Sequence, residues 1–129
     1  MEENLKSSGE VFMTLSEWYL TLRSTCTADG LTVKFTQPST DDALPLLHVN
    51  VHTDSDASTK IDTLNQVSQQ IDLYCENTIS VIEFETLINK VKNSISKTIR
   101  WDSLTTQTMV DTSTGRDIRR AMFLVTFTI

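Results

Sequence analysis

The stretch from Ile118 to Ile129 constrains this chain more than any other. Side chains of an extended strand point alternately to its two sides. Ala121, Phe123, Val125, Phe127 and Ile129 therefore share one face, and Met122, Leu124, Thr126 and Thr128 the other. Between Met122 and Val125 both faces are apolar. A strand of that kind belongs in the middle of a sheet, or against a partner, because water would meet apolar surface on either side. The rest of the chain must then supply neighbouring strands and a cover.

Four other segments read as strands. Leu31–Thr36 alternates apolar and polar residues, the pattern of a strand with one buried face. Leu46 to Thr53 repeats it, with Leu47, Val49 and Val51 on one face and His48, Asn50 and His52 on the other. Asp54–Thr59 reads as a polar loop. A third strand is expected from about Asn65 to Cys75, with Val67, Ile71, Leu73 and Cys75 opposite Ser68, Gln70, Asp72 and Tyr74. Ile99 to Val110 is a threonine-rich strand, and Asp111–Asp117, with Gly115, is the turn into the terminal strand.

Two segments have helical spacing instead. From about Gly9 to Cys26, Val11, Leu15, Trp18 and Leu22 form a stripe, flanked by Phe12, Tyr19 and Cys26, with Ser8 as the expected cap and residues 1–8 frayed. Ser80-Val81-Ile82-Glu83 is a capping box, in which serine and glutamate each satisfy a free backbone donor. Behind it run Phe84, Leu87, Ile88, Val91 and Ile95. The predicted order is α-β-β-β-α-β-β in one domain over residues 1–129. The fold class is α/β of the α+β type: a mainly antiparallel sheet of four to five strands with two helices on one face. Three glycines and two prolines leave no flexible linker to divide it.

The net charge is −6, which disfavours nucleic acid as a tightly held ligand. Its distribution is uneven. Through Glu85 there are 14 acidic and 4 basic residues, and from Thr86 onward 3 acidic and 7 basic. A subunit with an acidic and a basic flank attracts copies of itself head to tail, and such an interface closes into a ring. No apolar run reaches the roughly 20 residues of a membrane helix, and the acidic start MEENLKSSGE is not read as a secretory signal. Cys26 and Cys75 read as reduced, small apolar residues of a cytoplasmic protein.

Catalytic patterns are hard to find. His48 and His52, four residues apart on a strand, would stand about 13 Å from each other at roughly 3.3 Å per residue, too far to share one metal ion. Asp54-Ser55-Asp56-Ala57-Ser58 begins like a calcium loop, but Thr59 and Asn65 stand where glycine and a bidentate glutamate are needed. There is no phosphate loop and no nucleophile elbow. No catalytic, cofactor or metal role is assigned. Gly115-Arg116-Asp117-Ile118-Arg119-Arg120 is the one basic concentration. Arg116, Arg119 and Arg120 are expected to meet carboxylates of a neighbouring subunit, since the guanidinium fork suits bidentate pairing. Met122 and Leu124 would join them at that interface, and reversing Arg119 and Arg120 to glutamate should weaken association while sparing the fold.

The chain resembles the tail terminator proteins of long-tailed bacteriophages, also called tail completion or tail-to-head joining proteins. The resemblance lies in Asn65-Gln-Val-Ser-Gln-Gln-Ile-Asp-Leu-Tyr-Cys75 running into a Phe84–Ile95 helix, and in the ending from Asp111 through Gly115 and Arg119-Arg120 to Ile129. It lies also in the length and element order. It covers most of the chain, although the segment before the first helix is longer than the pattern needs. The resemblance implies a sheet flanked by helices and a homo-hexameric ring in the virion, assembled in the host bacterial cytoplasm. Such a ring caps the tail tube protein, ends tail growth and presents a surface to the head connector or stopper. Double-stranded DNA would cross its lumen without specific binding, past acidic side chains for which Asp54, Asp56 and Asp72 are the candidates. No membrane is involved. The competing expectation is a small cytoplasmic binding or enzymatic domain, monomeric or dimeric, using a polar face around His48, His52 and Tyr74.

Overall fold

A computed structural model describes residues 13–56, 65–112 and 115–129. The first helix, α1 (Leu15–Ala28), begins at Thr14, whose side chain accepts the Glu17 amide while the Glu17 carboxylate accepts the Thr14 amide. This box, worth about 1 kcal/mol by the usual effect of a cap, starts the helix later than the apolar spacing suggests. Val11, Phe12 and the Ser8 cap lie outside the described residues. Strands β1 (Val33–Lys34), β2 (Leu46–Asp56) and β3 (Asn65–Glu76) follow, then α2 (Val81–Thr98), β4 (Ser103–Asp111) and β5 (Ile118–Thr128).

The five strands form one sheet in the order β1-β2-β3-β5-β4. Only β1–β2 is parallel; the remaining pairs are antiparallel. The terminal strand β5 does lie inside the sheet, between β3 and β4. Its register sets Val67 beside Phe127, Ile71 beside Phe123 and Leu73 beside Ala121, so their apolar faces coincide. Trp18, Leu22 and Cys26 of α1 and Phe84, Ile88, Val91 and Ile95 of α2 pack onto that face as one core cluster. Burying each large side chain of this kind contributes about 1.5–3 kcal/mol. β1 is two residues rather than the six expected, and β2 runs through Asp56, beyond the expected loop boundary.

The helices are tied at one corner. Asp29, which follows α1, accepts hydrogen bonds from Ser94 Oγ and from Lys97 Nζ at 2.8 Å, both from α2. These bonds hold the Asp29 carboxyl below its ordinary range. Ser80 Oγ caps α2, accepting the Glu83 amide at 3.1 Å, but only this half of the expected capping box forms among the described residues.

A one-residue bulge interrupts β2. Val49 pairs with Ile71 but His52 with Gln69, so Asn50 and Val51 together oppose Gln70. The extra residue reverses the alternation beyond it. His52 therefore turns to the helix face, where Nδ1 lies 2.8 Å from the Tyr19 hydroxyl of α1. This corrects the expected shared face of His48, Asn50 and His52. Gln69, fully buried, answers the disturbed ladder: its Nε2 donates to the carbonyls of Asn50 at 2.8 Å and Val51 at 3.2 Å, and its Oε1 accepts from Trp18 Nε1 at 3.4 Å.

At the other end of β5 the turn packs against the segment before β2. Gly115 has φ +90°, and a Cβ there would come within 2.9 Å of Thr40 Cγ2. Both the left-handed backbone and the close approach require glycine.

Candidate functional site

The sheet face away from the helices carries the polar residues of β3 and β5. Register places Asp72 opposite both His48 and Met122, and Arg120 opposite both Tyr74 and Met109. Arg120 bridges two carboxylates. Its Nη2 lies 3.0 Å and its Nε 3.1 Å from Asp72 Oδ1, and its Nη1 lies 2.8 Å from Asp111 Oδ2. Asn50 Nδ2 donates to Asp72 Oδ2 at 2.8 Å and Gln70 Nε2 to the same oxygen at 3.1 Å. Burial opposes the Arg120 charge, but Asp72, Tyr74 and Asp111 together more than offset it, and the guanidinium is held above its ordinary value. The same guanidinium stands 5.5 Å over the Tyr74 ring, which stacks on His48.

This arrangement corrects two expectations. Asp72 is 0% exposed in the single chain, so it is a buried ion-pair partner and no lining residue of a lumen. Arg120 finds its carboxylates within its own chain, with only 18% of its side chain exposed. Reversing Arg120 to glutamate therefore strikes the fold, contrary to the expectation that it would be spared. Arg119 points to the other face and stands 5.8 Å over the Phe84 ring. Arg116 Nη2 donates to the Asp42 carbonyl at 2.9 Å. Met122 is half-buried and Leu124 is 44% exposed on the open face. Asp54 is exposed and lies 3.3 Å from His52 Nε2. Asp56 ends β2, and its side chain lies outside the described residues. The five interface candidates are thus not gathered into one patch. Of the five, only Leu124 is exposed.

His48 and Tyr74 are both buried, at 3% exposure, while His52 lies on the opposite side of the sheet. The polar face that the binding-domain reading relies on is thereby divided. Among the described residues no group of three His, Cys, Asp or Glu side chains could hold a metal ion. Burial pushes the thiols of Cys26 and Cys75 up to about 11, which leaves little thiolate at neutral pH. A cleft of about 390 Å³ runs between β1, the segment before β2 and α2. Its charged lining is the Lys34–Asp42 pair, already closed at 2.7 Å.

His48 carries a pH prediction. Burial holds its pKa below the ordinary 6.5, with Arg120 and Lys34 acting in the same direction and Asp72 against it. Nδ1 meets no hydrogen-bond partner among the described residues. A histidine with a lowered folded pKa binds its proton more readily when unfolded, so its share of stability is present above pH ~6.5 and is lost as pH falls below that. The urea midpoint is expected to drop between pH 7 and 5.5, and less so in His48→Gln. Equal slopes in the two proteins would remove His48 as the cause.

By sequence, no protein family and no curated protein matches the chain. By structure, the fold is shared with a virion component. It is a chain of the virion of a native gene transfer agent particle, with a TM-score of 0.53 and 15% sequence identity. The alignment covers 84% of this chain and 88% of the other, so it takes in nearly the whole described architecture rather than a common hairpin. At that identity the likeness is one of backbone. The α+β order, the central β5 and the helices against the sheet are features that sequence reasoning anticipated. The β2 bulge, and the Gln69 amide that supports it, were not anticipated, because nothing in Asn50-Val51 marks an extra residue.

Proposed function

We propose that this chain is a structural subunit of a phage-type virion, and specifically the tail terminator. In this reading six copies form a ring that caps the tail tube, ends its elongation and joins it to the head connector. The observation that carries the reading is the fold shared with a gene transfer agent virion component over 84% of the chain. The resemblance of the β3–α2 junction and of the Asp111–Ile129 ending to tail terminators narrows it from virion component to terminator. The role is assembly rather than catalysis. The work of such a subunit is done by surfaces, and exposed apolar residues at Val51, Val81, Ile82, Val110 and Leu124 supply them. Asp54 and Asp56 remain candidates for an acidic lumen past which DNA slides without adhering.

Solution mass tests this. Light scattering over a range of protein and salt concentrations should show a species of six-fold mass, or a climb toward it that salt weakens, and tail tubes added to the protein should stop growing. A concentration-independent monomer or dimer that stays so with tail tubes present, and leaves their growth unchanged, would overturn the proposal.

A further inference from the structure

The two edges of the sheet are built differently. A free edge offers unpaired backbone N–H and C=O groups to any extended chain, and natural sheets blunt it with short strands, bulges or charge. The first edge has all three. β1 is two residues long and pairs only with Leu47 and His48. Beyond it β2 carries the bulge at Asn50-Val51 and then the His52–Asp54 pair. The opposite edge, β4 (Ser103–Asp111), has none of them before its last residue. It is nine residues long, keeps one unbroken register against β5, and holds no proline and no charged residue from Ser103 to Val110. Among the described residues no strand lies on its outer side.

We infer that β4 pairs antiparallel with β4 of a second copy about a two-fold axis through Gln107, which joins the two sheets edge to edge. The edge itself sets the chemistry of its occupant, because an extended backbone is what satisfies a row of strand donors and acceptors. The side chains select β4 itself. Centred on Gln107, the pairing sets Leu104 opposite Val110, Thr105 opposite Met109 and Thr106 opposite Thr108. Leu104 packs against the core and Val110 is 57% exposed, so each Val110 gains an apolar neighbour on the helix side of the joined sheet. Asp111 faces Ser103, and no acid meets an acid. Centring on Thr106 instead sets Val110 against Asp102, and centring on Thr108 sets Leu104 against Thr112. The blunted β1–β2 edge offers no comparable counterpart. A contact between identical patches is isologous, whereas a ring closes through unlike ones. The pairing therefore goes beyond the ring reading and does not rest on it.

Gln107 faces itself in this register, which makes the test specific. Gln107→Lys and Gln107→Glu each set like charges against each other across the junction, while an equal mixture sets lysine against glutamate. Gln107 is exposed, so at a dilution where all three proteins are monomeric both variants should keep the parental circular dichroism and urea midpoint. Sedimentation should show the parent pairing as its concentration rises and each variant pairing about tenfold more weakly, since opposed like charges are disfavoured. The mixture should recover at least the parental affinity. Amide exchange should slow along β4 of the parent as it pairs, and stay unchanged at Val33–Lys34. Parental β4 amides that exchange equally fast at every concentration would overturn the pairing. Variants that associate as the parent does would overturn it too, as would a mixture no better than its parts. None of these results alters the six-fold mass and the arrest of tube growth that test the ring.

Discussion

Arg120→Ala is expected to lower folding stability by about 3–5 kcal/mol, the usual loss when one partner of a buried ion pair is removed. The reason lies in Asp72. Its carboxylate is fully buried, and Arg120 meets it through two nitrogens while also reaching Asp111. Removing the guanidinium leaves Asp72 with only the amides of Asn50 and Gln70, which supply hydrogen bonds but no opposite charge. Arg120→Lys should cost less, since the charge remains while the fork that spans both carboxylates is lost. Urea unfolding checks both variants, as a fall in midpoint at unchanged slope. A loss below about 1 kcal/mol for Arg120→Ala, the range of exposed pairs, would mean that the bridge is in effect a surface contact.

Trp18→Ala should cost a comparable amount, about 3–5 kcal/mol. Trp18 is fully buried, and its ring lies 4.6 Å from that of Phe127, joining α1 to the central strand. Its indole N–H also donates to Gln69, whose amide holds the bulge carbonyls of Asn50 and Val51. Trp18→Phe keeps most of the apolar contact and loses the bond to Gln69, so its cost should stay near 1–2 kcal/mol, mainly the expense of an unmade buried hydrogen bond. If both variants lost the same stability, the hydrogen bond rather than the packed ring would be the dominant contribution of Trp18. The alanine variant should also speed amide exchange at Asn50–His52, where the bulge depends on this chain of contacts.

The local periodicities were legible because each depends on residues close in sequence. Val67, Ile71, Leu73 and Cys75 turned to the helices, and Ala121, Phe123, Val125 and Phe127 turned with them, as period two requires. Ser80 capped α2 for the same local reason. The start of α1 was misread from comparable information: Thr14-Leu-Ser-Glu17 is itself a capping box, but the apolar stripe extended the reading upstream of it.

The candidate surfaces were less legible. Asp72, Arg120 and Asp111 are all charged, and charge alone points to water; their burial follows from a register that brings three strands' residues to one point. His48 obeys the alternation that precedes the bulge, and beyond it parity is reversed for His52, Thr53 and Asp54.

What the sequence by itself determined is the set of elements, their order and, apart from β2 beyond Val49, where Val51 is exposed rather than buried, the apolar face of each, since these follow from side-chain spacing and caps within a few residues. It also determined where charge changes sign, within α2. Only the tertiary structure decided which charged groups neutralise one another inside the chain and which remain for a partner. That outcome depends on strand order, register and one inserted residue in β2, and these are fixed by contacts between residues such as Asp72 and Arg120, 48 positions apart.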